Sequence, residues 1–226
     1  MTNVTDTPVT AAPLRPWMRL LARGVEAVIV TFARLVCAPR VTVTAPLTAG
    51  PTRVFFANHS SNADTILIWA AVPPELRATL RPVAAADYWL PKAVRRFLGL
   101  HVFRILPIQR VAAVRDTDPV AQMAAAVDAG SSLVIFPEGQ RNRGEAELLP
   151  FKTGLFHLAE ARPDVAFVPV WIGNLNGVLP KGERLPVPLI CTLTFGAPFQ
   201  HEDGETKEAF LARARAALLA LRDEGA

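Results

Sequence analysis

The chain has 226 residues, enough for one α/β domain with a full core and short for two. Apolar residues make up 51% and charged residues 19%, a surplus that has to go into the core, a lipid-facing surface or an apolar pocket. The net charge of +4 suits anionic partners, but no stripe of alternating aromatic and basic residues accompanies it, which speaks against nucleic acid.

Residues 1–16 are rich in Thr, Pro and Ala and lack the basic start and apolar run of a secretion signal. They read as a disordered lead-in to a cytoplasmic protein. Residues 17–37 read as an amphipathic helix. Trp17, Leu20, Leu21, Val25, Val28, Phe32, Leu35 and Val36 share one face, and Arg19, Arg23, Glu26 and Arg34 the other. Its uncharged stretch is too short to span a bilayer. Two readings stand for it: a helix lying in the membrane interface, or one packed on the protein's own core.

Strands are expected at 40–44, 53–57, 81–85, 102–106, 132–136, 166–172 and 189–195. Helices are expected at 64–71, 91–98, 119–129, 151–162 and 206–222. The alternation predicts a single α/β domain, residues 17–226, with a mostly parallel central sheet flanked by helices. Residues 180–188, with three prolines, read as a surface loop. Cys37 and Cys191 lack metal or redox spacing and read as buried thiols; no metal site or tightly bound cofactor is expected.

Two strand ends carry chemistry. The first is Asn58-His59-Ser60-Ser61-Asn62-Ala63-Asp64. Strand ends of α/β sheets are where ligands bind. Imidazole accepts a proton near neutral pH, and Asp64, five residues on, can curl back to one ring nitrogen, fixing the tautomer while the other nitrogen faces a substrate hydroxyl. Ser60 and Ser61 lie too close to the base in sequence to serve it as nucleophile and read as helix caps. The attacking group is then the acceptor's own hydroxyl. The second strand end is Phe136-Pro137-Glu138-Gly139-Gln140-Arg141-Asn142-Arg143-Gly144. Arg141 and Arg143 on a Gly-bounded loop suit bidentate phosphate binding. Glu138 can accept hydrogen bonds from acceptor hydroxyls, and backbone N–H groups near Gly139 can stabilise an oxyanion. Asp87-Tyr88-Trp89 follows a strand expected beside the His59 strand and can line the pocket, whereas His101, His157 and His201 read as structural or solvated.

N-H-x-x-x-x-D at one strand end, followed about eighty residues later by F-P-E-G-x-R at another, resembles the glycerophosphate acyltransferase family, which includes 1-acylglycerol-3-phosphate acyltransferases. Residues 102–110, ending Pro107-Ile108-Gln109-Arg110, are similar to its second block. Phe151-Lys152-Thr153-Gly154 is similar to its F-K-x-G segment, and Val168-Pro169-Val170 to its fourth block. Four blocks in order, over residues 53–173, make the resemblance specific. It implies an O-acyltransferase of phospholipid biosynthesis with His59 and Asp64 as catalytic pair. Glu138, Gly139, Arg141, Arg143, Arg110 and Lys152 would hold the acceptor, a lysophospholipid such as 1-acyl-sn-glycerol-3-phosphate. Acyl-CoA or acyl-carrier protein would be the donor substrate. Three departures stand out. Gln140 replaces the usual Thr or Ser, Gln109 a common Asp or Asn, and the long apolar N-terminal anchor of many members is missing. The first two leave other head groups open, such as a lyso-ornithine lipid or a glycolipid precursor. The third implies a peripheral protein on the inner face of the cytoplasmic membrane. A hydrolase and a catalytically idle lipid-binding module are the rival readings.

Overall fold

The computed structural model describes residues 14–44, 46–47, 50–109, 118–174 and 190–224. The expected lead-in (apart from residues 14–16), the 180–188 loop and Arg110 lie outside them. Helix α1 spans Pro16–Cys37, α2 Asp64–Ala71, α3 Pro74–Thr79, α4 Ala86–Trp89, α5 Ala93–Phe97, α6 Pro119–Asp128, α7 Gly154–Ala161 and α8 Lys207–Glu224. The strands are β1 Arg40–Val43, β2 Arg53–Ala57, β3 Leu80–Ala85, β4 Leu106–Ile108, β5 Ser132–Ile135, β6 Ala166–Gly173 and β7 Thr192–Phe195.

Among the described residues these strands form a seven-stranded sheet in the order β1-β7-β6-β2-β5-β3-β4. All pairings are parallel except β6 with β7. The central strands are buried on both faces, which is why they read as continuous apolar runs. Alternation along β2 sends Phe55 and Ala57 into one core with α1 and α2. Val54 and Phe56 enter the other, with α6, α7 and α8.

Three expectations need correction. The strand predicted at 102–106 is displaced. Leu98–Val102 form a π-helical turn, Arg104 takes a left-handed φ of 51°, and the strand is Leu106–Ile108, Pro107 included. Proline is tolerated there because β4 is an edge strand. The α7 helix starts at Gly154 instead of 151, because the Lys152 N–H donates to Pro137 O at 2.7 Å and holds the preceding residues to the 136–144 loop. The strand before Asp87 is not next to the His59 strand, since β5 lies between β3 and β2.

Helix α1 packs on the protein's own core, one of its two readings, and leaves its larger apolar face outward. Ala22, Val30, Ala33 and Cys37 are buried against the domain. Its polar side docks as well: Arg34 Nη2 donates to Ala70 O at 2.9 Å, and Glu26 Oε1 accepts the Trp69 indole N–H at 3.1 Å. Trp17, Leu20, Leu21, Val28, Phe32 and Leu35 are left outward, with Leu35 76% exposed. No helix among the described residues is long and apolar enough to cross a membrane. Cys37 and Cys191 are buried neighbours, with the Cys191 N–H donating to Cys37 O at 2.9 Å. Burial and the adjoining Cys37 thiol push the Cys191 thiol up to about 12, which keeps it protonated and inert.

Candidate active site

Both strand ends predicted to carry chemistry meet because β2 and β5 are parallel neighbours, Phe56 pairing with Ile135. Their C-terminal loops therefore emerge side by side. The Asn58 amide anchors the first loop to the next strand, donating to Ile172 O at 2.9 Å and accepting from Ile172 N at 2.8 Å.

His59 Nδ1–H donates to Asp64 Oδ2 at 2.7 Å. The same oxygen accepts the N–H groups of Ser60 at 2.7 Å and Ser61 at 2.9 Å. Asp64 is the first residue of α2 and fully buried. Three donors converging on one carboxylate oxygen fix its rotamer, and with it the imidazole plane. Capping thus runs opposite to expectation: the aspartate binds the serine backbones. Among the described residues, the Ser61 hydroxyl accepts from Ala63 N, at 3.2 Å. With Nδ1 engaged, Nε2 is the ring nitrogen left for a substrate, and His59 lines a cavity of about 1660 Å³.

The 136–144 loop holds His59 from the other side. Phe136 stacks on its ring, with centroids 4.2 Å apart and planes at 24°. The Asn142 N–H donates to His59 O at 2.6 Å. Glu138 does not reach out to acceptor hydroxyls. Its side chain is buried, with Oε1 accepting the His59 N–H and Oε2 the Leu149 N–H, each at 2.8 Å. Burial pushes its carboxyl above the usual carboxylate range, and the two N–H groups pull it part of the way back. Gly139 closes the turn with its N–H on Phe136 O at 3.0 Å, so that N–H is spent. Its φ of +69° requires glycine, and an added Cβ would sit 3.2 Å from Lys152 Cγ.

Arg141, Arg143 and Lys152 line the same cavity as His59, as do Gln109 and Gln140. Arg141 is half-buried; Arg143 and Lys152 are exposed at the rim. Of the other predicted contributors, Tyr88 and Trp89 line the cavity, as does His157, which by sequence reads as structural or solvated. The rest of the wall is apolar and includes Val28, Ile29 and Phe32 of α1. Phe136, Asn58 and Asn142 also escaped the sequence reading as contributors. All three stand within the two quoted segments, but their partners, distant in the chain, are visible only once the strands lie side by side.

A fixed His–Asp pair between a cationic rim and an apolar cavity is the equipment of an acyltransferase fold. The chain belongs to the acyltransferase family, whose model matches residues 39–173. It is 27% identical over 155 residues to a 1-acyl-sn-glycerol-3-phosphate acyltransferase of Cocos nucifera, covering 69% of this chain and 48% of that protein. It is 32% identical over 109 residues to one of Haemophilus influenzae, covering 47% and 42%. The chain spans about half the length of the curated relatives it matches. The crystal structure of a 1-acyl-sn-glycerophosphate acyltransferase from Thermotoga maritima shares the fold, with a TM-score of 0.67 at 19% identity, over 92% of this chain and 81% of that one.

Proposed function

We propose that the protein transfers an acyl group from a thioester donor, acyl-CoA or acyl-carrier protein, to the free hydroxyl of 1-acyl-sn-glycerol-3-phosphate. The observation that carries this reading is the His59–Asp64 pair opening on the cavity that Arg141, Arg143 and Lys152 also line. His59 Nε2 takes the acceptor hydroxyl proton as the oxygen attacks the thioester carbonyl. Asp64 stabilises the imidazolium. The tetrahedral intermediate collapses by breaking the C–S bond, and the thiolate leaves with the proton His59 had taken. Gly139 having spent its N–H, the N–H groups of Gln140 and Arg141, which have no acceptor among the described residues, are the ones left for the oxyanion. The arginines and Lys152 bind the acceptor phosphate. The apolar wall takes acyl chain.

A second reading keeps the chemistry and changes the head group. Gln109 and Gln140, both lining the cavity, favour it, because an amide offers hydrogen bonds and no charge. The protein docks peripherally on the cytoplasmic face of the membrane through the outward apolar face of α1, with Arg15, Arg19 and Arg23 among the head groups.

The test is incubation with acyl-CoA or acyl-carrier protein and a panel of lysophospholipids, lyso-ornithine lipid and glycolipid precursors, with products identified by mass spectrometry. Diacylglycerol phosphate formed only when 1-acyl-sn-glycerol-3-phosphate is present supports the first reading. Thioester consumption without any acceptor makes the protein a hydrolase and overturns both.

A further inference from the structure

Most of the large exposed apolar side chains stand on elements that also line the cavity. Of eleven among the described residues, six stand on α1 and two, Tyr88 and Val94, on α4 and α5. The remaining three lie on or beside the edge strand β1. Helix α5 buries none of its residues, and Val94 is 72% exposed. Yet α5 is no detached arm: it runs into the π-helical turn at Leu98–Val102, which packs against α1. Val28 and Phe32 from α1, and Tyr88 and Arg95 from α4 and α5, all line the cavity that reaches His59. The mouth therefore has two lips, and both carry apolar side chains into solvent.

Charge on the second lip is predominantly basic, Asp87 of α4 being its one acidic residue. Helix α5 and the residue before it contribute Lys92, Arg95 and Arg96, with no acidic residue among them. The Arg95 guanidinium lies 4.4 Å over the Tyr88 ring, a pairing of flat cation and aromatic ring suited to a boundary between apolar and polar phases. A single turn of helix with an apolar tip between basic side chains fits an anionic lipid surface: the tip enters the acyl boundary and the cations reach the phosphates.

We propose that α4 and α5 are a second bilayer contact, so that the cavity opens sideways into an anionic membrane between α1 and α5. The inference rests on the acceptor being a membrane lipid, as in the reading above. It adds that this lipid slides between two inserted lips and never crosses water. Val94 and the Tyr88 ring penetrate, while Lys92 and Arg96 bind head groups.

The experiment places an environment-sensitive dye on Val94→Cys in the full chain, with unsubstituted protein as labelling control, since Cys37 and Cys191 are buried. Vesicles of phosphatidylglycerol and phosphatidylethanolamine are the probe. A blue shift of the dye on vesicle binding is expected. Lys92→Glu with Arg96→Glu should lower partition onto these vesicles by roughly tenfold at an unchanged thermal midpoint. A dye that stays water-exposed on vesicle-bound protein overturns the proposal and leaves α1 as the docking element. A dye that responds to acyl-carrier protein and not to vesicles overturns it in favour of a donor-docking site. Lysophosphatidate acylation is measured separately, so either result is distinct from failure of the proposed activity.

Discussion

The buried carboxylate of Glu138 accepts the main-chain N–H of His59 at 2.8 Å, across 79 residues of sequence. Together with the bond from Asn142 to His59 O, it ties both sides of the base's backbone to the loop that carries the arginines. The spacing between His59 and the arginines, the proposed base and phosphate site, is thereby set by one loop.

Glu138→Gln retains one acceptor and turns an amide donor toward the other N–H. Leaving a buried donor unpaired costs about 1–3 kcal/mol. The expected outcome is a kcat reduced roughly tenfold or more, with little change in acceptor KM, measured by steady-state kinetics. The stability gap also depends on pH. Burial raises the folded-state pKa of Glu138, so the native state holds the proton at pH values where the unfolded chain has released it. That contribution is fully present below the unfolded value and is lost as pH rises through the folded one. The wild-type thermal midpoint should therefore gain on that of Glu138→Gln as pH falls from 7 toward about 4.5.

His59→Ala should lower kcat by roughly 10²–10⁴-fold without unfolding the protein, since a general base contributes about that much. Asp64→Asn should come close to this, because an amide presents the wrong hydrogen-bond pattern to Nδ1 and to the two serine N–H groups. A folded His59→Ala protein with near wild-type turnover would refute the mechanism. The double variant Ser60→Ala with Ser61→Ala should remain active.

Arg141→Ala should raise acceptor KM by roughly ten- to a hundredfold, the equivalent of about 1.5–3 kcal/mol for a charge-assisted contact. Arg143→Ala should be milder, because Arg143 stands at the exposed rim and Arg141 is half-buried. Kinetics with acceptor varied and donor saturating check this. An effect confined to donor KM would assign these arginines to the donor's phosphates.

Gly139→Ala should destabilise the protein by about 1–3 kcal/mol through its left-handed φ. The new methyl would also press on the Lys152 side chain. Thermal denaturation together with acceptor KM should show both losses in one variant.

For α1, two changes should part company. Leu20→Asp with Leu35→Asp, on the outward face, should weaken co-sedimentation with anionic vesicles and leave the thermal midpoint unchanged. Deleting residues 1–37 should lower the midpoint instead, because Val30, Ala33, Cys37 and Arg34 are built into the domain. Equal sedimentation of the double variant and wild type would remove α1 as an anchor.

The sequence by itself determined the class of fold and the pairing of His59 with Asp64. Continuous apolar runs bounded by turn residues mark strands buried on both faces. The His59–Asp64 spacing is local, five residues across one strand-to-helix turn, so chain geometry alone brings the carboxylate to the ring. What lay beyond it was everything set by strand order and helix rotation. Periodicity separates the two faces of α1 but does not say which one docks. Here Glu26 and Arg34 find partners on α2, and that turns the large apolar face outward. Similarly, Glu138 looks like a substrate ligand until β2 and β5 lie side by side and put the His59 and Leu149 N–H groups against its carboxylate. Hydrogen bonds and burial between residues far apart in the chain depend on tertiary neighbours, and no local pattern encodes them.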